Sequence, residues 1–155
     1  MSVSLTTVAA CQVAGINRDR FNEFVAIGDY RGAPPTVAGR ARVFSADDIL
    51  GLVIFRDLMA GGMTAWAAGR ISYAVVEVAK EYPSASLVSY VHPWRASTGE
   101  SVDGAARPFQ HMQSVDSVDE KTPDVLYQMV FNVGVLRDVV AKRCQKIVGC
   151  NQEAA

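Results

Sequence analysis

Apolar residues recur at helical spacing in five stretches of the chain and alternate with polar ones in short runs between them, the pattern of a mixed α+β fold. In residues 5–14, Leu5, Val8 and Cys11 stand three apart, Thr6 or Thr7 can cap the helix, and Gly15 stops it. Asn17 caps a second helix, residues 18–27, with Phe21, Phe24 and Val25 facing inward and Gly28 at its end. Two short helices joined by a tight glycine-containing turn form the helix-turn-helix signature. Residues 29–43 carry Gly32, Pro34, Pro35 and Gly39 and cannot be helical, since proline lacks the amide donor and fixes φ. Arg40-Ala41-Arg42-Val43-Phe44 alternates as a strand returning from a turn does. Ser45 caps a third helix with Asp47 and Asp48 in its first turn, where carboxylates suit the helix dipole. Ile49, Leu52, Val53, Arg56 and Leu58 give that helix its period, and Gly61-Gly62 ends it. A fourth helix, residues 63–82, turns Trp66, Ile71, Val75 and Val78 inward and closes at Pro83.

The pattern changes after Pro83. Residues 87–92, 109–115 and 125–131 read as strands. Residues 100–107 read as a Gly/Ala/Ser-rich turn or loop, and residues 114–123 as an acidic loop. Asn132 caps a terminal helix, residues 133–148, with Leu136, Val139, Val140 and Ile147 on one side; that side is a dimer seam if exposed and core if not. Two modules follow, residues 1–83 and residues 84–155. The fold class is α+β: an N-terminal winged helix-turn-helix, then a small C-terminal module of about three strands and a terminal helix, which serves dimerisation or effector binding.

The run from Asn17 to Gly28 resembles the second helix of the MerR-type winged helix-turn-helix family. The Pro34-Pro35 link, Gly39-Arg40-Ala41-Arg42-Val43-Phe44-Ser45, Asp48-Ile49-Leu50, Leu58 and Gly62-Met63 follow in that family's order. The resemblance covers about half the chain, roughly residues 5–81, and implies a fold that binds double-stranded DNA. Excisionases and phage packaging subunits look similar in the same region. Two features depart from the pattern. Glu23-Phe24 stands where the family has a tyrosine pair, whose first member commonly meets a phosphate, and the long dimerising helix is replaced by a β-containing half.

The physical chemistry of groove reading points to the same residues. A recognition helix needs guanidinium or short polar side chains on its outer face, and Arg18, Arg20 and Asn22 lie beside the apolar face of residues 18–27. Asn22 can pair with adenine and either arginine with guanine. Arg31, Arg40 and Arg42 fall in the wing, residues 31–44, as phosphate contacts, and Thr7 and Asn17 complete the candidate DNA-binding set. The same arginines also fit a solvated helix face paired with Asp19 and Glu23.

Composition narrows the remaining chemistry. The chain has 155 residues, 50% of them hydrophobic and 20% charged, enough apolar material for a core. The net charge of −1 shows no bulk basic character, so DNA binding must rest on where the charges sit. No apolar run reaches membrane-spanning length and the N-terminus lacks a signal-peptide pattern, so a cytoplasmic, nucleoid-associated protein is expected. Cys11, Cys144 and Cys150 are not a disulfide framework. Cys144 and Cys150 invite comparison with soft-metal sites, and His92 and His111 stand on neighbouring expected strands; neither pair makes a metal site at this spacing. Trp66, Tyr73, Tyr90, Trp94, Phe109, Tyr127 and Phe131 are candidates for an effector pocket, though core positions suit most of them better. No nucleophile–base spacing, phosphate loop or carboxylate cluster marks an enzyme, and no cofactor is implied. The function these features predict is a bacterial or phage transcriptional regulator acting as a homodimer on double-stranded DNA, with a small-molecule or protein effector as a further partner. The alternative is an excisionase-like or phage packaging protein whose C-terminal half binds a protein partner.

Overall fold

In the computed structural model, which describes residues 4–95, 100–101, 104–109 and 124–153, the chain is α+β. A short strand β1 (Leu5–Thr6) runs into α1 (Thr7–Ala14), followed by α2 (Arg18–Ala26), β2 (Val43–Phe44), α3 (Ala46–Ala60) and α4 (Ala65–Glu81). The second half holds β3 (Val88–Arg95), β4 (Glu100–Ser101), β5 (Ala105–Pro108), β6 (Asp124–Phe131) and α5 (Val133–Glu153).

Side-chain caps set the helix boundaries. Thr6 is the cap of α1, its hydroxyl accepting from the Ala9 amide at 3.4 Å. Gly15 ends α1 in the left-handed region at φ 71°, a conformation that costs other residues, and the Gly15 and Ile16 amides return to the Gln12 and Cys11 carbonyls. Asn17 then caps α2, its Oδ1 accepting from the Asp19 and Arg20 amides at 2.9 and 3.0 Å. Ser45 and Asp48 form a reciprocal capping box at the start of α3.

Leu5 belongs to β1 rather than to the first helix, and Val8 is 48% exposed; Ala10, Cys11, Val13 and Ala14 make the inner face of α1 instead. The expected wing strand shrinks to Val43–Phe44 and pairs with β1, Leu5 opposite Phe44 and Thr6 opposite Val43. Residues 31–42 carry no strand: Pro34 and Pro35 have no amide to give a ladder, and at residues 37–40 the chain turns, the Arg40 amide bonding the Val37 carbonyl at 3.0 Å.

α3 is the centre of the packing. Every residue from Ile49 to Phe55 is buried, which an amphipathic helix would not allow. Ile49, Leu52, Val53 and Phe55 join α1, α2 and β2 in one cluster, while Leu50 and Ile54 join Ile71, Val75, Val76 and Ala79 of α4 in another. α4 approaches the chain after α2 so closely that a Cβ on Gly69 would overlap the Asp29 carbonyl oxygen. Trp66, expected inward, is 54% exposed with the Arg70 guanidinium 4.8 Å from its ring centre, because α4 faces the core through Ala68, Ile71 and Val75.

β3 is the middle strand of an antiparallel sheet. Val88 pairs with Phe131 of β6 on one edge and Pro108 of β5 on the other, and β4 meets the far end of β3 at Trp94. Residues 100–107, expected as a loop, thus contribute two strands. Gly104, between them, has a packing cause: a Cβ there would overlap the Tyr90 ring. The expected strand at residues 109–115 and the acidic loop at residues 114–123 fall outside the described residues, apart from Phe109. Val88 and Tyr90 seat the sheet on α4. α5 turns Val140 and Cys144 into the N-terminal cluster, so its apolar side is core and not a seam. Arg137 of α5 donates to the carbonyls of Ala79 at 2.6 Å and of Pro83 and Ala85 at 3.0 Å, tying the end of α4 to the start of the sheet. No helix among the described residues is long and apolar enough to cross a membrane.

Candidate nucleic-acid interface

α2 is held by a ring cluster. Phe21 is fully buried, edge-on to Tyr30 at 5.7 Å and to Phe44 at 5.9 Å, and Phe24 meets Phe55 at 5.3 Å. Such pairs add roughly 0.5–1.5 kcal/mol each beyond their burial, which fixes the roll of the helix. Arg18, Asp19, Arg20, Asn22 and Glu23 are therefore all exposed. At about 100° per residue, the direction opposite Phe21 belongs to Asp19, Glu23 and Ala26, with Arg18 and Asn22 on one flank and Arg20 on the other.

Each flanking arginine is paired. Arg18 meets Asp19 through Nε at 3.0 Å and Nη2 at 2.8 Å, and Arg20 meets Glu23 at 3.3 Å while stacking on Phe24. The outward face is thus a balanced set of two cations and two anions. Both pairs are more than half exposed, and pairs of that kind are worth about 0–1 kcal/mol, so a phosphate or base edge competes with them readily.

The other predicted contacts are spread more widely. Thr7 is half-buried at the first position of α1. Asn17 spends its carbonyl oxygen on the α2 cap and keeps its amide nitrogen for an outside acceptor. Arg31 and Arg40 are exposed, whereas Arg42 is half-buried with a buried Nε that has no partner among the described residues.

Two arginines from distant helices converge on the α1–α2 turn, a feature with no local signal in sequence. The Arg56 guanidinium pairs with Asp57 at 2.5 Å and lies where a Cβ on Gly15 would meet its Nη1 at 2.8 Å. Arg143 donates to the Val13 carbonyl at 3.2 Å. Both place positive charge at the negative end of α1.

The titratable side chains of Cys11, Tyr30 and Lys80 are shifted from their ordinary values. Burial pushes the Cys11 thiol up to about 11, against the opposing pull of Arg18, so it is a packed thiol and not a nucleophile. Burial, then Asp48, then Cys11 raise the Tyr30 hydroxyl well above the ordinary tyrosine range, leaving it a proton donor. Burial alone would lower Lys80, but the Asp48 and Glu77 carboxylates at 3.4 Å outweigh it and raise it.

The remaining candidates are not brought together. His92 is half-buried on β3, while His111 and the Cys150 side chain lie outside the described residues; Cys144 is in the core. No group of His, Cys, Asp and Glu suited to a metal ion occurs among the described residues. Of the aromatic set, Tyr90 is core, Phe131 and Phe109 are half-buried, Trp66 and Tyr73 are exposed, and the side chains of Trp94 and Tyr127 lie outside the described residues. No protein-family model matches the sequence, and no curated protein does.

Proposed function

We propose that the protein is a sequence-specific, double-stranded-DNA-binding transcriptional regulator built on a winged helix-turn-helix, with α2 in the major groove. One observation supports this above all. α1 and α2 meet through the three-residue turn Gly15-Ile16-Asn17, and the buried Phe21 fixes α2 so that Arg18, Arg20 and Asn22 are presented to solvent. Arg31 and Arg40, on the exposed segment between α2 and β2, supply phosphate contacts that need no strand to carry them. A helix of nine residues reads few base pairs, so the protein acts as a homodimer on a near-palindromic site. The α5 apolar side is used internally, and the dimer contact falls to the outer part of the second half, where Val130 and Val135 are 48% and 55% exposed. Chromatin immunoprecipitation of the wild type beside an Arg18→Ala/Arg20→Ala variant tests this; identical peaks for both overturn the assignment of α2.

A further inference from the structure

A cleft of about 240 Å³ opens where residues 30–35 cross α3 and α4. Tyr30 forms part of its wall and is only 3% exposed. Its hydroxyl lies between Gly32 and Gly51: a Cβ on either would come within 2.9 or 3.0 Å of that oxygen. No side chain at either glycine crowds that hydroxyl, which makes no hydrogen bond among the described residues. At the rim, Arg31 is exposed and has no ion pair among the described residues. Lys80 stands 3.4 Å from both Asp48 and Glu77, so these three groups keep one net negative charge, which the Arg31 guanidinium offsets. What remains is two donors, one of them cationic, beside the apolar surfaces of Pro34, Pro35 and Val76.

We infer that this cleft binds a small organic carboxylate, its oxygens on the Tyr30 hydroxyl and the Arg31 guanidinium and its apolar body against Pro34, Pro35 and Val76. A cleft of about 240 Å³ is at the small end for a ligand site and suits a single-ring or short-chain acid. The Arg31 guanidinium and the Tyr30 hydroxyl both donate and so match a carboxylate, while Asp48 and Glu77 are engaged by Lys80. Arg31 is also a candidate phosphate contact. An acid bound here takes that guanidinium and ties residues 31–35 to α3 and α4, which lowers DNA affinity; this consequence rests on the DNA-binding reading, whereas the site itself does not.

The test uses the whole chain without DNA, titrated with benzoate, benzamide and benzylamine and followed by heteronuclear NMR. Benzoate gives saturable shifts centred on Tyr30, Gly51 and Val76, benzamide binds at least about tenfold more weakly, and benzylamine gives no such shifts. Arg31→Gln, at an exposed position that does not threaten folding, weakens benzoate about tenfold, and Tyr30→Phe does the same. No saturable shift with benzoate at tens of millimolar, equal binding of benzylamine, or unchanged affinity in Arg31→Gln overturns the site. A site that passes these tests while benzoate leaves DNA binding unaltered refutes only the regulatory consequence.

Discussion

The Glu23 carboxylate holds the Arg20 guanidinium at 3.3 Å, one turn along α2. Glu23 sits nearer the middle of the outward face than either arginine does, so a phosphate that captures Arg20 must approach a carboxylate left behind. Glu23→Gln removes that charge and frees Arg20. Its expected effect is an affinity for duplex DNA raised about three- to tenfold at low salt, shrinking as salt rises, read by fluorescence anisotropy. Unchanged or weaker binding means that α2 does not face the DNA.

The arginines between α2 and β2 have a different signature. Arg31→Ala and Arg40→Ala each weaken binding to all sequences alike and lower the slope of log affinity against log salt by about one. Arg42→Ala has a smaller effect on that slope, since its side chain is half-buried. Lost sequence preference at constant affinity contradicts a phosphate role for these residues.

Gly69 is a close approach between α4 and the segment after α2. A methyl group there meets the Asp29 carbonyl, which is backbone and cannot rotate away. Gly69→Ala lowers stability by about 2–4 kcal/mol through forced separation of α4 from Tyr30, measured by denaturant unfolding. Gly149→Ala on α5, where a Cβ meets nothing within 4 Å, is the control and raises stability by about 0.5–1 kcal/mol. Equal effects at the two sites refute the close approach.

Cys11 gives the fold an alkaline edge. Burial raises its thiol from 9.0 to about 11, with Arg18 opposing. The folded chain keeps the neutral thiol while the unfolded chain releases its proton first, so the stabilising contribution is complete below pH 9 and is lost as pH rises towards 11. Denaturant titrations across that window show a decline that Cys11→Ala makes shallower. A thiol reagent reacts with Cys11 at about pH 8 only as fast as the chain opens; rapid labelling at Cys11 itself in the folded protein, located by peptide mapping, contradicts this burial.

Local chemistry was legible in the residues and long-range pairing was not. Gly15, Asn17 and Ser45 act within three or four positions of themselves, so the caps of α1, α2 and α3 could be read directly. The pairing of β2 with β1 could not, because the partner of Phe44 is Leu5. Periodicity understated α3, whose burial on every side comes from α1 and α5 on one flank and α4 on the other. β5 was hidden because Gly104, just before it, answers to the Tyr90 ring lying against it and not to turn chemistry. In the candidate interface, exposure of Arg18, Arg20 and Asn22 followed from the apolar face of Phe21, Phe24 and Val25, and Asp19 and Glu23 were visible as partners of the two arginines. The approach of Arg56 and Arg143 to the α1–α2 turn, and the cleft beside Tyr30, depend on segments that meet only in the fold.

The most direct test of α2 as a recognition helix is affinity selection from random-sequence duplexes, run in parallel with the wild type and the Arg18→Ala/Arg20→Ala variant. The wild type enriches a near-palindromic motif with two half-sites about one helical turn apart, and the variant enriches none. No enrichment by the folded wild type, or the same motif from both proteins, contradicts α2 as the element that reads DNA.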